Sequence, residues 1–171
     1  DEIEIANYSR RSDTDEPNIA DIVMCDRLPN GSGFVRYLYE NFYRFLDETC
    51  NAKPGMGTYA GSILVQEHRK CDSACYDCLK VYRNMPYHGL LDWRLALSYL
   101  RALLNPGYIA GLDGLFNYPE LEEWLNTATQ LRNNFISYFG GYTPHEWGGL
   151  PGFKAGRRSF LIIHPFWDTR N

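Results

Sequence analysis

The sequence predicts an α+β fold, mainly helical, with a strand near each end. Three observations carry that expectation. Apolar residues recur every three or four positions in three separate stretches, the rhythm of helices laid on a core. Two short apolar runs without that rhythm, "IADIVMCD" (19–26) and "SFLIIHPFW" (159–167), lie toward the two ends of the chain. Finally, three of the five cysteines fall within the eight positions 71–78.

The elements follow in order. "IADIVMCD" is an extended segment, and "RLPNGSG" (27–33) is a turn rich in glycine. In "FVRYLYENFYRFLDETC", Phe34, Leu38, Phe42, Phe45 and Leu46 mark a first helix. The loop "NAKPGMGTYAGS" (51–62) leads to the cysteine cluster, and that cluster runs into a second helix. Its stripe is Leu90, Trp93, Leu97, Leu100 and Leu104, closed by "NPGY" (105–108). A third helix is expected over 119–136, with Pro119 in its first turn and Leu121, Trp124, Ala128, Leu131 and Phe135 on its apolar face. The following "FGGYTPHEWGGLPGFKAGRR" reads as turns, and "SFLIIHPFW", lacking alternation, reads as a buried strand.

At 171 residues the chain is long enough to bury a core as one compact unit. Its expected divisions are an N-terminal extension (1–18), a central module (19–104) and a C-terminal extension of the same unit (105–171). A net charge of -4 gives no global attraction to nucleic acid, so any such contact needs a local basic patch. No apolar run is long enough for a transmembrane helix. The charged opening "DEIEIANYSRR" is not a signal peptide, and a start at Asp1 reads as a piece cut from something longer. An odd, clustered set of cysteines makes a poor disulfide framework and points to a reducing, cytoplasmic setting with thiols available to a metal.

The spacing Cys71-x3-Cys75-x2-Cys78 suits zinc, because a C-x2-C turn supplies two thiolates at the right bite and Cys71 reaches the same ion if residues 72–74 bend back. A fourth ligand is needed, and His68, His88 and Cys50 are the candidates. Such a thiolate-rich site is expected to be structural, since a catalytic zinc keeps an open position for water. The fold expectation is therefore a small zinc-stabilised domain.

The glycine turn before the first helix has the look of a phosphate cradle but lacks the P-loop lysine and the G-x-G-x-x-G spacing. It reads as a plain strand-to-helix turn. Lys70, Lys80, Arg83, Arg94 and Arg101 interleave with Tyr76, Tyr82 and Tyr87, and "GRR" (156–158) adds two cations. They form either a phosphate-reading patch or a solvated helix face. No catalytic set emerges: His145 and Glu146 do not extend to H-E-x-x-H, because Gly149 stands where the second histidine belongs. An independent ATPase is excluded by the missing Walker lysine.

"VMCDRLPNGSGF" resembles the strand–turn–helix motif D-x-x-x-x-G-x-G-[FY] of the zinc-binding domain at the C-terminus of MrfA-like superfamily-two helicases. "CDSACYDCLKVYRNMPYHGLLDWRLAL" is similar to its cysteine signature, in the variant found in helicase-associated proteins of bacterial antiviral defence loci of the DISARM type. The resemblance covers about residues 19–104, with "LIIHPFWD" a weaker echo. It implies a four-ligand structural Zn2+ site in a module that helps a helicase motor engage DNA. Cys71, Cys75 and Cys78 match ligand positions directly. His68 fits the place of the first ligand, where a cysteine is usual, and Cys50 is its rival. Asn84, His88, Asp92 and Arg94 match scaffold positions. The expected DNA contacts are Lys80, Arg83, Arg94 and Arg101. Motor domains are absent, so the resemblance implies a fragment, or a subunit that docks on a motor protein and meets DNA but no membrane. The competing readings are a metal-dependent hydrolase such as a nuclease, and a protein-interaction module using Trp147 and Trp167.

Overall fold

A computed structural model describes residues 3–10, 20–53, 61–62 and 71–167. It is a small α+β protein, and its contacts divide it into two units, Asp1–Glu48 and Thr49–Asn171. The division falls inside the segment expected to form one module. No helix among the described residues is long and apolar enough to cross a membrane.

In the first unit, strand β1 (Ile3–Arg10) pairs antiparallel with β2 (Ala20–Asp26), with a register shift between Ile5 and Asn7. Sequence reading found β2 and took the β1 segment for an extension. Helix α1 (Phe34–Glu40) follows the glycine turn, and α2 (Phe42–Cys50) begins after a break at Asn41. One helix was expected here. The break is at Asn41, whose backbone leaves helical geometry (φ -118°, ψ 21°) while its side-chain amide donates to the Tyr37 carbonyl at 2.9 Å, a local competition typical of asparagine.

The glycine turn closes on itself. The Asp26 carboxylate accepts the N–H groups of Gly33 and Val35, both at 2.9 Å. These bonds, Val35 foremost, hold the Asp26 carboxyl below the usual carboxylate range. The start of α1 thus already carries an anion supplied by the chain itself, which accounts for the spacing of Asp26 to the glycines without a phosphate.

In the second unit, a 3-10 helix (Tyr82–Tyr87) precedes α3 (Trp93–Leu104), and α4 (Trp124–Phe139) leads to a three-stranded antiparallel sheet. Its strands are β3 (Thr143–Trp147), β4 (Leu150–Ala155) and β5 (Arg158–Leu161), in that order. Sequence reading took this stretch for turns and placed one strand over 159–167, of which only 159–161 is strand. The hairpin signal was Gly148–Gly149, both at positive φ (58° and 82°), joining Trp147 to its partner Leu150. Two such residues make the tight turn that matches strand twist. Gly152 is needed for a different reason: a Cβ there would meet the Phe160 carbonyl and the Trp147 ring. That close approach lets Phe153 stack between Phe135 of α4 (4.9 Å) and Phe160 of β5 (5.0 Å).

Among the described residues of this unit, two apolar clusters are buried. Cys50, Ala52, Ala74, Cys78, Trp93 and Leu97 form one, and Ala110, Leu121 and Trp167 form the other. Trp167, expected as an exposed contact residue, is instead buried, with its indole N–H donating to the Ala110 carbonyl at 3.0 Å. Leu90, assigned to the helical stripe, lies before α3 and is 82% exposed. The buried face of α3 is Trp93, Leu97, Ser98 and Arg101.

That face carries a polar network. The Arg101 guanidinium pairs side-on with Glu120, through Nε to Oε1 at 2.5 Å and Nη2 to Oε2 at 3.2 Å. It also donates to the Cys50 carbonyl at 2.9 Å and lies 4.0 Å from the centre of the Tyr118 ring. The Tyr108 hydroxyl donates to Glu120 at 3.3 Å and meets Ser98 at 3.1 Å. Burial beside Glu120 pushes the Tyr108 hydroxyl up to about 12, so it stays a donor at any physiological pH.

His164 is also buried, among Trp124, Phe166 and Trp167, with its Nδ1 accepting the Phe166 N–H at 3.2 Å. Burial lowers its pKa from 6.5, with the Asp92 charge acting in the opposite sense. The fold favours the neutral ring, so this contribution to stability is complete above pH 6.5 and is lost as pH falls through the depressed folded value. Denaturation midpoints compared between neutral and mildly acid pH should therefore fall less in His164→Asn than in the parent. Equal falls in the two proteins would sink that assignment.

Candidate metal centre

The cysteine cluster is built by a tight turn. The N–H groups of Cys78 (3.2 Å) and Lys80 (2.9 Å) both donate to the Cys75 carbonyl, curling "CYDC" so that its two sulfurs converge. Their separation is 3.8 Å, and the Cys75 N–H points at the Cys78 sulfur at 3.1 Å. Cys71 completes the group, with all three Sγ atoms within 4.8 Å of one another. None of the cysteines is in a disulfide.

Tetrahedral zinc with sulfurs at about 2.3 Å places those sulfurs roughly 3.8 Å apart. The Cys75–Cys78 pair already stands at that distance, and Cys71 needs only a small inward movement. The donor set therefore fits zinc.

Electrostatics point the same way. Burial opposes ionisation of Cys75, but the Asp77 N–H and hydrogen bonds from the two neighbouring thiols outweigh it and lower the Cys75 pKa. Burial pushes Cys71 up to about 11, and the adjacent sulfurs add to the shift. Ionisation of one of these thiols makes that of the next harder. A cation held between the sulfurs would offset that repulsion.

The head of α3 holds this turn in place. Asp92 caps the helix, its Oδ1 accepting the N–H groups of Arg94 (2.8 Å) and Leu95 (3.0 Å). The Trp93 N–H donates to the Ser73 carbonyl at 2.9 Å, and the Trp93 ring is buried against the cluster. Arg94 Nη1 reaches the carbonyls of Cys71 (2.9 Å) and Asp72 (3.0 Å). In "LLDWRL", consecutive residues thus cap the helix, fill the core and clamp the knuckle.

A second brace lies on the other side. Asn84 accepts the Val81 N–H at 2.9 Å and donates to the Leu79 carbonyl at 2.8 Å. His88 Nε2 meets the Val81 carbonyl (3.1 Å) and Asn84 Oδ1 (2.9 Å), and its ring stands edge-on to Tyr76 at 5.6 Å. Both partners of Nε2 are acceptors, so that nitrogen carries a proton.

Of the candidates for a fourth ligand, neither His88 nor Cys50 joins the three-sulfur group. His88 ties the 3-10 turn, while Cys50 is buried in the same apolar cluster with its carbonyl on Arg101. His68 and Lys70 lie outside the described residues.

The expected DNA contacts separate into two pairs. Arg101 is 5% exposed and committed to Glu120, which corrects its placement on an outward face. It stands eight residues after Trp93 and four after Leu97, on the buried stripe itself. Arg94 is spent on the knuckle carbonyls. Arg83 is exposed, and Lys80 is half-buried beside the cluster. Sequence reasoning missed the Arg101–Glu120 network; an arginine in register with Trp93 and Leu97 was the available signal.

Comparison of the chain with family models, with curated proteins and with solved structures finds no match.

Proposed function

We propose that Cys71, Cys75 and Cys78 hold a structural zinc ion, with His68 as the fourth ligand, and that the chain is a non-catalytic accessory module of a DNA helicase assembly of bacterial defence. The convergence of three sulfurs within 4.8 Å, on a turn gripped by the head of α3, is the observation that carries the metal reading. The ion would supply no chemistry to a substrate. It would neutralise the thiolates and lock the knuckle onto the helix. An all-thiol group of this kind suits a closed site better than the clustered carboxylates that a hydrolytic centre uses.

The helicase context is supported by the long signature from Cys71 to Leu97, whose non-cysteine positions have structural work. Asn84, His88, Asp92 and Arg94 all brace the knuckle or the helix that carries it. Such a signature selects a scaffold, which is what an accessory module needs.

Metal analysis of purified variants tests the ligand set. His68→Ala is expected to lose most of its zinc or bind it far more weakly, and Cys50→Ala to keep full occupancy. Full zinc in the His68 variant with loss in the Cys50 variant would overturn the assignment of the fourth ligand.

A further inference from the structure

We infer that a groove between α4 and the knuckle docks an extended, basic segment of a partner polypeptide. This rests on the proposed accessory role and specifies the chemistry of the partner. The groove, of about 700 Å³, lies wholly within the Thr49–Asn171 unit. One wall is α4, and the other includes Asp72 of the knuckle with Trp93 and Arg94 from the head of α3. That second wall is firmly held, because Asp92 caps α3 and Arg94 grips the Cys71 and Asp72 carbonyls.

The α4 wall carries a row of amides. Asn126, Gln130 and Asn134 all line the groove and are all exposed, at every fourth position of one continuous helix. Four residues of helix rise about 6 Å. Every second residue of an extended chain advances about 6.6 Å and faces the same way. Over three amides the two repeats stay in step to within about 1 Å. Each amide offers an acceptor and two donors, the complement of the C=O and N–H that a peptide residue presents. Asn126 donates one N–H to Glu123 at 2.8 Å, which orients the first amide of the row. Small-molecule pockets are lined mostly by apolar groups and enclose their ligand. This wall is polar and open, as a site that reads a peptide backbone needs to be.

Charge selects the segment. Among the described residues, Asp72, Glu122 and Glu123 line the groove against one cation, Arg94. Even with Glu122 and Arg94 set against each other, Asp72 and Glu123 leave the groove negative. Phosphates would be repelled there, whereas lysine or arginine side chains flanking the paired backbone would be attracted.

The test is NMR titration of the full chain with an end-capped octapeptide of alternating lysine and threonine. Its glutamate–threonine counterpart and a fully N-methylated version are the comparisons, and zinc content is measured on the same samples. The lysine peptide should shift the side-chain amide resonances of Asn126, Gln130 and Asn134. It should bind about tenfold more tightly than either comparison peptide. Gln130→Ala and Asn134→Ala, both at exposed positions, should each weaken it about tenfold. Asp72→Asn with Glu123→Gln should abolish the preference for lysine over glutamate. Equal binding of the three peptides, or no effect of Gln130→Ala, overturns the inference. Absence of binding by a fully zinc-loaded chain also overturns it and leaves the metal reading intact. Shifts of the same amides by oligothymidylate but not by the lysine peptide overturn it and assign the groove to nucleic acid. Gln130-dependent binding by a folded chain without zinc supports the groove and removes the metal reading.

Discussion

Replacing Cys78 by serine, or stripping the metal with a chelator, is expected to unfold the Thr49–Asn171 unit. Structural zinc sites contribute about 10–16 kcal/mol of apparent binding energy, whereas whole domains are stable by about 5–15 kcal/mol. Cys78 is buried in the same apolar cluster as Trp93 and Leu97, so the knuckle and the head of α3 form one structure. Its loss would remove one of the three converging sulfurs and also open that cluster. Circular dichroism and proteolysis should both report the change, and added zinc should reverse it for the chelated parent but not for Cys78→Ser. A cooperative melt unchanged by chelator would contradict the expectation.

The second large effect lies away from the knuckle. Glu120→Ala leaves the Arg101 guanidinium buried without its counter-charge, a change that costs about 3–5 kcal/mol. Both side chains are sealed from water, at 6% and 0% exposure, so solvent cannot take over the lost interaction. Arg101→Met combined with Glu120→Leu should recover most of the loss, because a buried pair replaced as a unit often proves near neutral. Urea midpoints of the single and double variants decide the matter. A Glu120→Ala variant as stable as the parent would mean that the pair contributes little. In that case Tyr108 and the Cys50 carbonyl hold this region by other means.

How much of this was legible in the sequence differs from element to element. The heart of α3 was, because Trp93, Leu97, Leu100 and Leu104 keep a helical period. The convergence of Cys71, Cys75 and Cys78 was also legible, since their spacing leaves little freedom for anything but a turn. The sheet was not. Its strands are short and carry Pro144, Pro151 and Gly152, residues that speak against strands until pairing is known. Only the close approach of Gly152 to Phe160 and Trp147 explains why a glycine belongs there.

The inward turn of Arg101 was hidden for a different reason. Charged side chains are almost never fully buried unless paired, so its charge outweighed its register with Trp93 and Leu97 and placed it with the solvent. Its partner Glu120 lies outside α3, beyond the reach of local patterns. The same holds for Arg94, whose acceptors are carbonyls more than twenty positions earlier in the chain.

The measurement that bears most directly on the central claim is elemental analysis of the freshly purified chain, paired with titration of its accessible thiols. The account predicts one zinc per chain, with the thiols of Cys71, Cys75 and Cys78 protected until a chelator is added. A folded, metal-free chain whose three cysteines react at once would contradict it.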